Sequence, residues 1–191
     1  MNFRASLLTF CFALLTFGLG VACGPSSPAG TPKATDSPWF VDRAHETGLD
    51  FVHVNGMSGK FYYAEIIAPG AALFDYDQDG DLDVFLVQGR PLGAGASGET
   101  GGATGGRLFR NDLVVNSDGT RTLHFTDVTA QSGIIANDYG MGVAAGDFDN
   151  DGCVDLYLTN FGRNHLWRNN CNGTFTDVTA KSGTGVMSWS V

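Results

Sequence analysis

Aspartates recur at fixed spacing in two short segments of the chain. The carboxylates stand at positions 1, 3, 5 and 9 of each segment: Asp75, Asp77, Asp79 and Asp83 in the first (loop 1), and Asp147, Asp149, Asp151 and Asp155 in the second (loop 2). Two carboxylates about 4 Å apart repel by about 1 kcal/mol in water and about 4 kcal/mol near a protein surface, so each cluster requires a cation.

The other positions of the two loops also fit a cation site. Position 6 is glycine, Gly80 and Gly152, which permits a sharp turn. Position 7 is Asp81 in loop 1 and Cys153 in loop 2, a variation that suits a site using only the backbone carbonyl there. Ligation by oxygen atoms alone predicts one Ca²⁺ site in each loop and favours Ca²⁺ over Mg²⁺ or Mn²⁺.

The loops have two other interpretations. A lone acidic turn is commonly just solvated, but here the same turn occurs twice with the same flanks. An EF-hand requires Glu at position 12 and flanking helices. Position 12 is Leu86 in loop 1 and Leu158 in loop 2, inside the strand-like runs VFLV and LYLT, which disfavours an EF-hand.

The loops belong to a longer internal repeat. Residues 70–89 align with 142–162, RLFRND at 107–112 with HLWRNN at 165–170, and HFTDVTAQSG at 124–133 with TFTDVTAKSG at 174–183. A degenerate copy of that ending, WFVDRAHETG, occupies 39–48. The stretches 91–106 and 114–122 account for most of the length difference between the copies and are loop-like in composition.

Each repeat predicts four short antiparallel strands, in the second copy about 142–148, 154–160, 164–170 and 174–179. Four such strands make a propeller blade, and a blade needs neighbours on both faces. The fold class is therefore all-β, a partial β-propeller of about two blades spanning 39–191. The loop spacing places a third loop near residue 197, so we expect the chain to be a fragment; a complete two-blade protein is the alternative.

The N-terminus reads as an export signal. Residues 1–22 carry one cation before an apolar stretch and end in small residues, typical of a signal peptide rather than a membrane anchor. The run before Cys23 resembles a bacterial lipobox, so Cys23 is a candidate for lipidation, although ordinary signal peptidase cleavage after Ala22 also fits. Residues 23–38 would be a flexible tether. We expect an outer-membrane or cell-surface lipoprotein, or a secreted or periplasmic protein.

The composition limits the classes of partner that the protein can bind. The 11 Lys+Arg against 20 Asp+Glu give a net charge of −9, which argues against a nucleic-acid partner. Contact with a membrane is expected only through a lipid attached to Cys23.

Cys153 and Cys171 flank a hairpin centred on Gly162 and predict a disulfide, since export permits one; two reduced cysteines are the alternative. The four histidines are scattered and no catalytic constellation is visible, so no enzyme is expected.

The loops with their flanks resemble FG-GAP/VCBS propeller repeats, and residues 51–89 look like the start of the cartilage acidic protein/ASPIC–UnbV-type family of secreted propellers. The resemblance implies a calcium-binding propeller, seven-bladed when complete, with the eight aspartates at positions 1, 3, 5 and 9 as ligands. The expected function is an interaction or adhesion scaffold that binds calcium and a protein or glycan. The alternatives are the non-catalytic part of a secreted enzyme and a structural envelope protein.

Overall fold

The structure is a computed structural model that describes residues 38–92 and 105–190. The chain divides into two compact units, Met1–Val41 and Asp42–Val191. The signal peptide, Cys23, nearly all of the tether and most of the glycine-rich insertion lie outside the described residues. All elements below belong to the second unit.

The first repeat folds into a four-stranded antiparallel sheet with the strand order β1-β2-β3-β6. Its elements in chain order are α1 (Tyr63–Ile66), β1 (Ala71–Phe74), β2 (Asp83–Leu86), β3 (Arg107–Asn111), β4 (Val114–Val115), β5 (Arg121–Thr122), β6 (Phe125–Asp127) and α2 (Thr129–Ser132). Strands β4 and β5 pair only with each other, so the predicted 114–122 insertion is a hairpin that leaves the blade intact.

The second repeat forms the equivalent sheet, in which β7 pairs with β8, β8 with β9, and β9 with β10. Its elements are β7 (Gly140–Gly146), β8 (Asp155–Arg163), β9 (His165–Asn169), β10 (Phe175–Asp177), α3 (Thr179–Ser182) and β11 (Met187–Trp189). Strand β11 pairs with the far end of β8. The predicted all-β class and the four-stranded antiparallel blades are confirmed.

The last strand of the second blade is shorter than the sequence predicts. In place of a strand over 174–179, β10 ends at Asp177, where the Asp177 carboxylate accepts the N–H of Thr179 at 2.8 Å and turns the chain into α3. Asp127 does the same for Thr129 at 3.0 Å before α2. Aspartate followed by a residue whose N–H it can accept is a local turn signal that outweighs the strand pattern of Thr and Val.

The degenerate copy at 39–48 keeps this turn. Asp42 accepts the N–H of Ala44 at 3.0 Å, and Thr47 Oγ1 donates to Ala44 O at 3.1 Å. Gly48 has a left-handed φ of +84°, as the glycine ending each helix has, +76° and +73°. The chain from Asp42 to Gly48 therefore has the conformation of a blade ending.

The largest apolar cluster among the described residues fills the space between the two blades. It draws side chains from both sheets: Ala72, Phe74, Tyr76, Phe85, Val87, Leu108, Val128, Ile134, Leu156, Leu158, Trp167 and Phe175. The other face of the first blade, with Val84, Phe109 and Phe125, packs against Leu49 and Phe51. The aromatics that recur at equivalent repeat positions, Phe109 with Trp167 and Phe125 with Phe175, are thus core residues.

The blades approach each other closely where the first strand of the second repeat begins. A Cβ built on Gly140 would lie 2.3 Å from Val87 Cγ1 and 3.0 Å from Gln88 O, whereas one on Gly146 would meet nothing within 4 Å. Only glycine fits at the first position. Among the described residues, no helix has the length and apolar character needed to cross a membrane.

Candidate metal loops

Loop 1 joins β1 to β2 and loop 2 joins β7 to β8, so each connects the first two strands of a blade. At position 1, Asp75 accepts the N–H groups of Asp79 at 3.1 Å and Gly80 at 3.0 Å. Asp147 accepts the corresponding two in loop 2, at 3.1 and 2.9 Å. The position 5 carboxylate accepts the position 7 N–H at 2.9 Å in both loops. The two loops therefore share one internal hydrogen-bond pattern.

The carboxylates at position 9 are the buried base of each loop. Asp83 is 0% and Asp155 1% exposed. Asp83 accepts the N–H of Tyr76 within loop 1 and that of Asn111 on β3, both at 2.8 Å. Asp155 accepts the equivalent N–H groups, from Phe148 at 3.0 Å and Asn169 at 2.7 Å. Position 9 thus ties the loop to the third strand of its own blade.

Both loops turn through left-handed backbone at position 4 as well as at the predicted glycine. Gln78 has φ +66° and Asn150 φ +59°, while Gly80 and Gly152 have φ +94° and +93°. Positive φ is uncommon outside glycine, and asparagine tolerates it better than glutamine does. This bend brings positions 1, 3 and 9 of the nine-residue segment round to one point.

Carboxylate oxygens converge in each loop. One oxygen from each of Asp75, Asp77 and Asp83 lies within 4.8 Å of the others, and the same holds for Asp147, Asp149 and Asp155. Asp77 Oδ1 is buried and has no hydrogen-bond partner. An oxygen-only donor set with an unpartnered buried carboxylate oxygen fits a hard divalent cation such as Ca²⁺.

The remaining predicted ligands are placed differently. Asp79 and Asp151 lie outside the two groups of three converging carboxylates, although they belong to the same loops. The carboxylate of Asp151 lies within 4.8 Å of the sulfurs of Cys153 and Cys171. Ligation through the backbone carbonyls of Asp81 and Cys153 stays a prediction.

Burial, together with the neighbouring charges, raises the pKa of several loop carboxylates. Burial raises the pKa of Asp83 to about 6, with a further contribution from Asp77 and Asp79, against the two N–H bonds that lower it. Burial raises the pKa of Asp77, and the Asp79 carboxylate adds to this. Burial likewise raises the pKa of Asp155. A bound cation would reverse this by stabilising the charged forms.

Cys153 and Cys171 form a disulfide with a Cα–Cα distance of 5.7 Å, which confirms the predicted bond. The pairing of Leu156 with Trp167 places the centre of the hairpin between Phe161 and Gly162, half a residue from the predicted centre. The bond joins position 7 of loop 2 to the turn after β9, where Cys171 has φ +57°. Loop 1 has Asp81 at the aligned position and no such link.

Two residues that the sequence analysis did not single out connect the loops of neighbouring blades. Gln78 Nε2 in loop 1 donates to Gly152 O in loop 2 at 2.7 Å. Asn169 on β9 donates from Nδ2 to Tyr76 O of loop 1 at 2.8 Å and to Val154 O of loop 2 at 3.2 Å. The repetition of asparagine at 111 and 169 marked the position but not its contact across the blades, and nothing in the sequence marked Gln78.

The segment before loop 1 is held by buried polar contacts. Glu65 is 2% exposed, and its Oε1 accepts the N–H of Ser58 at 3.1 Å. Asn55 Nδ2 donates to Glu65 O at 2.8 Å. Tyr139 Oη, from the second repeat, lies 2.8 Å from Asn55 O and 3.0 Å from Ala64 O. These contacts fix the chain that leads into β1.

The histidines have no shared centre. His165 Nε2 lies 2.7 Å from Asp138 and its Nδ1 3.4 Å from Asp177, so the ring connects the segment between the blades to β10. His45 contacts Asp50 at 2.7 Å near the start of the second unit.

Comparison with known families gives one result. The FG-GAP-like repeat family matches residues 75–158 and, in an overlapping second match, 147–191. Each match begins at the first aspartate of a loop. A search of the curated proteins finds no match.

Proposed function

Because the chain belongs to the FG-GAP-like repeat family, we propose that it is a calcium-binding β-propeller module that works outside the cytoplasm. The fold class and the disulfide support an extracytoplasmic module, since disulfides persist in oxidising compartments. Calcium binding is the further step. Its role would be structural, stabilising the turn between the first two strands of each blade.

The observation that carries the calcium proposal is the convergence of three carboxylates in each of two loops with the same hydrogen-bond pattern. Burial of Asp83 and Asp155 beneath the other carboxylates would be costly without a counter-ion. In loop 1 the unpartnered Asp77 Oδ1 offers a further acceptor. Asp75, Asp77 and Asp83 would hold one ion, and Asp147, Asp149 and Asp155 the other. Asp79 and Asp151 would complete the two sets.

The test is thermal unfolding of the chain with calcium and with EDTA. A site filled at about 100 times its dissociation constant stabilises the fold by about 2.7 kcal/mol. For about 150 residues this raises the Tm by about 5–10 °C. Equal melting temperatures in calcium and in EDTA would contradict the proposal.

Substitutions locate the effect. Asp77→Asn and Asp149→Asn each remove one ligand charge from one loop and should each abolish part of the calcium-dependent rise in Tm. Asp118→Asn is the matched control, because Asp118 is exposed in the β4–β5 hairpin and belongs to neither loop. A control that lowers the calcium effect as much as the loop variants do would mean that general charge, not the loops, is responsible.

We propose that the module binds a protein or a glycan, and that this partner contacts the rim that carries the two loops. The narrower membership in the cartilage acidic protein/ASPIC–UnbV type is part of this proposal and rests on the resemblance of the sequence of residues 51–89 alone. Binding to a defined partner that survives salt but is lost in EDTA would support a scaffold; a purely structural envelope role predicts no such partner.

The proposed location depends on the N-terminus. Mass spectrometry of the mature N-terminal peptide tests it directly: an acylated Cys23 indicates a lipoprotein, and a free N-terminus at Cys23 indicates ordinary cleavage and secretion or periplasmic release. Retention of residues 1–22 would contradict export by a cleaved signal.

A further inference from the structure

We infer that the two loops bind calcium as a coupled pair and that Gln78 is the positioning residue through which loop 1 acts on loop 2. This inference rests on the proposed calcium binding. The inference goes beyond calcium binding in two ways. It assigns a role to a side chain that is not at a ligand position, and it predicts that calcium binding to one loop changes the calcium affinity of the other.

The first connection is exposed and direct. Gln78 lies between Asp77 and Asp79 in loop 1, and its Nε2 donates to Gly152 O in loop 2 at 2.7 Å. The peptide that carries Gly152 O also carries the N–H of Cys153, which donates to Asp151 Oδ1 at 2.9 Å. One peptide plane is therefore held at its oxygen by the neighbouring loop and at its nitrogen by a predicted ligand. Its orientation affects both Asp151 and the chain at position 7.

The second connection is buried. Asn169 is 0% exposed and joins both loops with its side-chain Nδ2, through Tyr76 O of loop 1 and Val154 O of loop 2. Its own N–H donates to Asp155 Oδ1 at 2.7 Å. The matching residue of the first blade, Asn111, contacts only loop 1 through its N–H and Nδ2, and its Oδ1 has no partner. The asparagine at this position therefore links two loops only at the interface between the two blades.

The sign of the coupling follows from the way a bound cation would order the backbone of loop 1. A cation held by Asp77 and Asp79 would restrain the backbone on both sides of Gln78, whose φ of +66° is already uncommon for glutamine. Gln78 would then contact Gly152 with less loss of conformational freedom, and loop 2 would be ordered before its own ion arrives. Binding to one site that reduces the ordering needed at a second produces positive coupling, and the effect is reciprocal.

Gln78→Met tests the inference. Methionine has about the length of glutamine and meets the same backbone strain at the positive φ of position 78, but it removes the donor without changing the charge. Gln131→Met is the matched control, because Gln131 is exposed on α2, away from the loops. Calcium titrations of the full chain are followed by the amide signals of Gly80 and Gly152, which report loops 1 and 2 separately. Both N–H groups donate to the position 1 aspartate of their loop.

The expected result is that Gln78→Met raises the calcium midpoints of both loops by a similar factor of about two to five, the range of a weak net hydrogen bond. It should also flatten both curves, while Gln131→Met leaves them unchanged. An unchanged Gly152 midpoint overturns the inference, as does a shift confined to Gly80, which would be a local effect on loop 1. If neither glycine responds to calcium in the unmodified chain, the proposed function itself fails. A melting temperature of Gln78→Met in EDTA equal to that of the unmodified chain shows that the shift is not general destabilisation.

Discussion

The disulfide between Cys153 and Cys171 should stabilise the second blade by restricting the unfolded chain. The two cysteines are 18 residues apart. Loop-closure entropy for a cross-link of about this length amounts to about 11 cal/mol/K, or about 3 kcal/mol at room temperature. Replacing both cysteines by serine should lower the free energy of unfolding by about this amount, and the Tm by about 6–12 °C.

Urea unfolding followed by intrinsic fluorescence measures this change, in EDTA so that calcium binding does not enter. Cys171→Ser alone is the informative control: Cys171 is exposed, whereas Cys153 is 2% exposed. The exposed single variant breaks the bond with little loss of packing and should give most of the 3 kcal/mol effect. A loss below about 1 kcal/mol, with an unchanged denaturant slope, would refute the entropic reasoning.

In calcium the same variant should lose more stability than in EDTA. The disulfide holds position 7 of loop 2, whose carbonyl is a predicted ligand, so breaking it should weaken calcium binding at loop 2 directly. The ligands of loop 1 stay in place, and loop 1 should respond only through its coupling to loop 2. Equal losses in calcium and EDTA would separate the disulfide from the cation site.

Three further predictions concern the blade interface and the loops. Gly140→Ala should destabilise the chain by about 1–3 kcal/mol through overpacking, while Gly146→Ala, into open space, should be nearly neutral in urea unfolding. Tyr76→Ala should cost about 3–5 kcal/mol because Tyr76 is 4% exposed; the aligned Phe148, 50% exposed, should cost much less when changed to Ala, and equal losses would contradict the assigned packing. Because the pKa of Asp83 is raised from 3.8 to about 6 in the fold, the free energy of unfolding without calcium should fall as pH rises from about 4 through 6, and the calcium affinity of loop 1 should rise over the same interval. Titrations at pH values on either side of this interval that give one affinity would show that Asp83 does not titrate there.

The blades and the turns of the aspartate loops could be predicted from the sequence because their signals are local and occur twice. Aspartate and glycine spacing determines the turn, and the short apolar runs on either side determine the strands. The disulfide was predictable for a related reason: its two cysteines flank a single hairpin, so the register of neighbouring strands places them close together. The observed centre of that hairpin differs from the predicted one by only half a residue.

Contacts between blades were not predictable in the same way. Gln78 and Gly152 are 74 residues apart, and neither residue type indicates the other. Asn169 reaches Tyr76 across 93 residues of sequence. The position 9 aspartates illustrate the limit within a loop: the sequence treats Asp83 as a ligand like the others, but its burial and its two backbone partners depend on where β3 lies. Packing, which spacing does not encode, distinguishes it from Asp79.

The interface between the blades has a polarity. Tyr76 of the first blade stacks on Phe175 of the second, with ring centroids 6.4 Å apart, and its carbonyl meets Asn169. Phe148 presents an aromatic ring at the same position of the second blade and is half exposed. A contact between two unlike surfaces has no twofold axis; repeated, it closes into a ring when the rotation permits and otherwise continues as a filament. Blades of this design therefore add in one direction only, and two copies of the chain that met through an uncovered Phe148 would join head to tail rather than face to face.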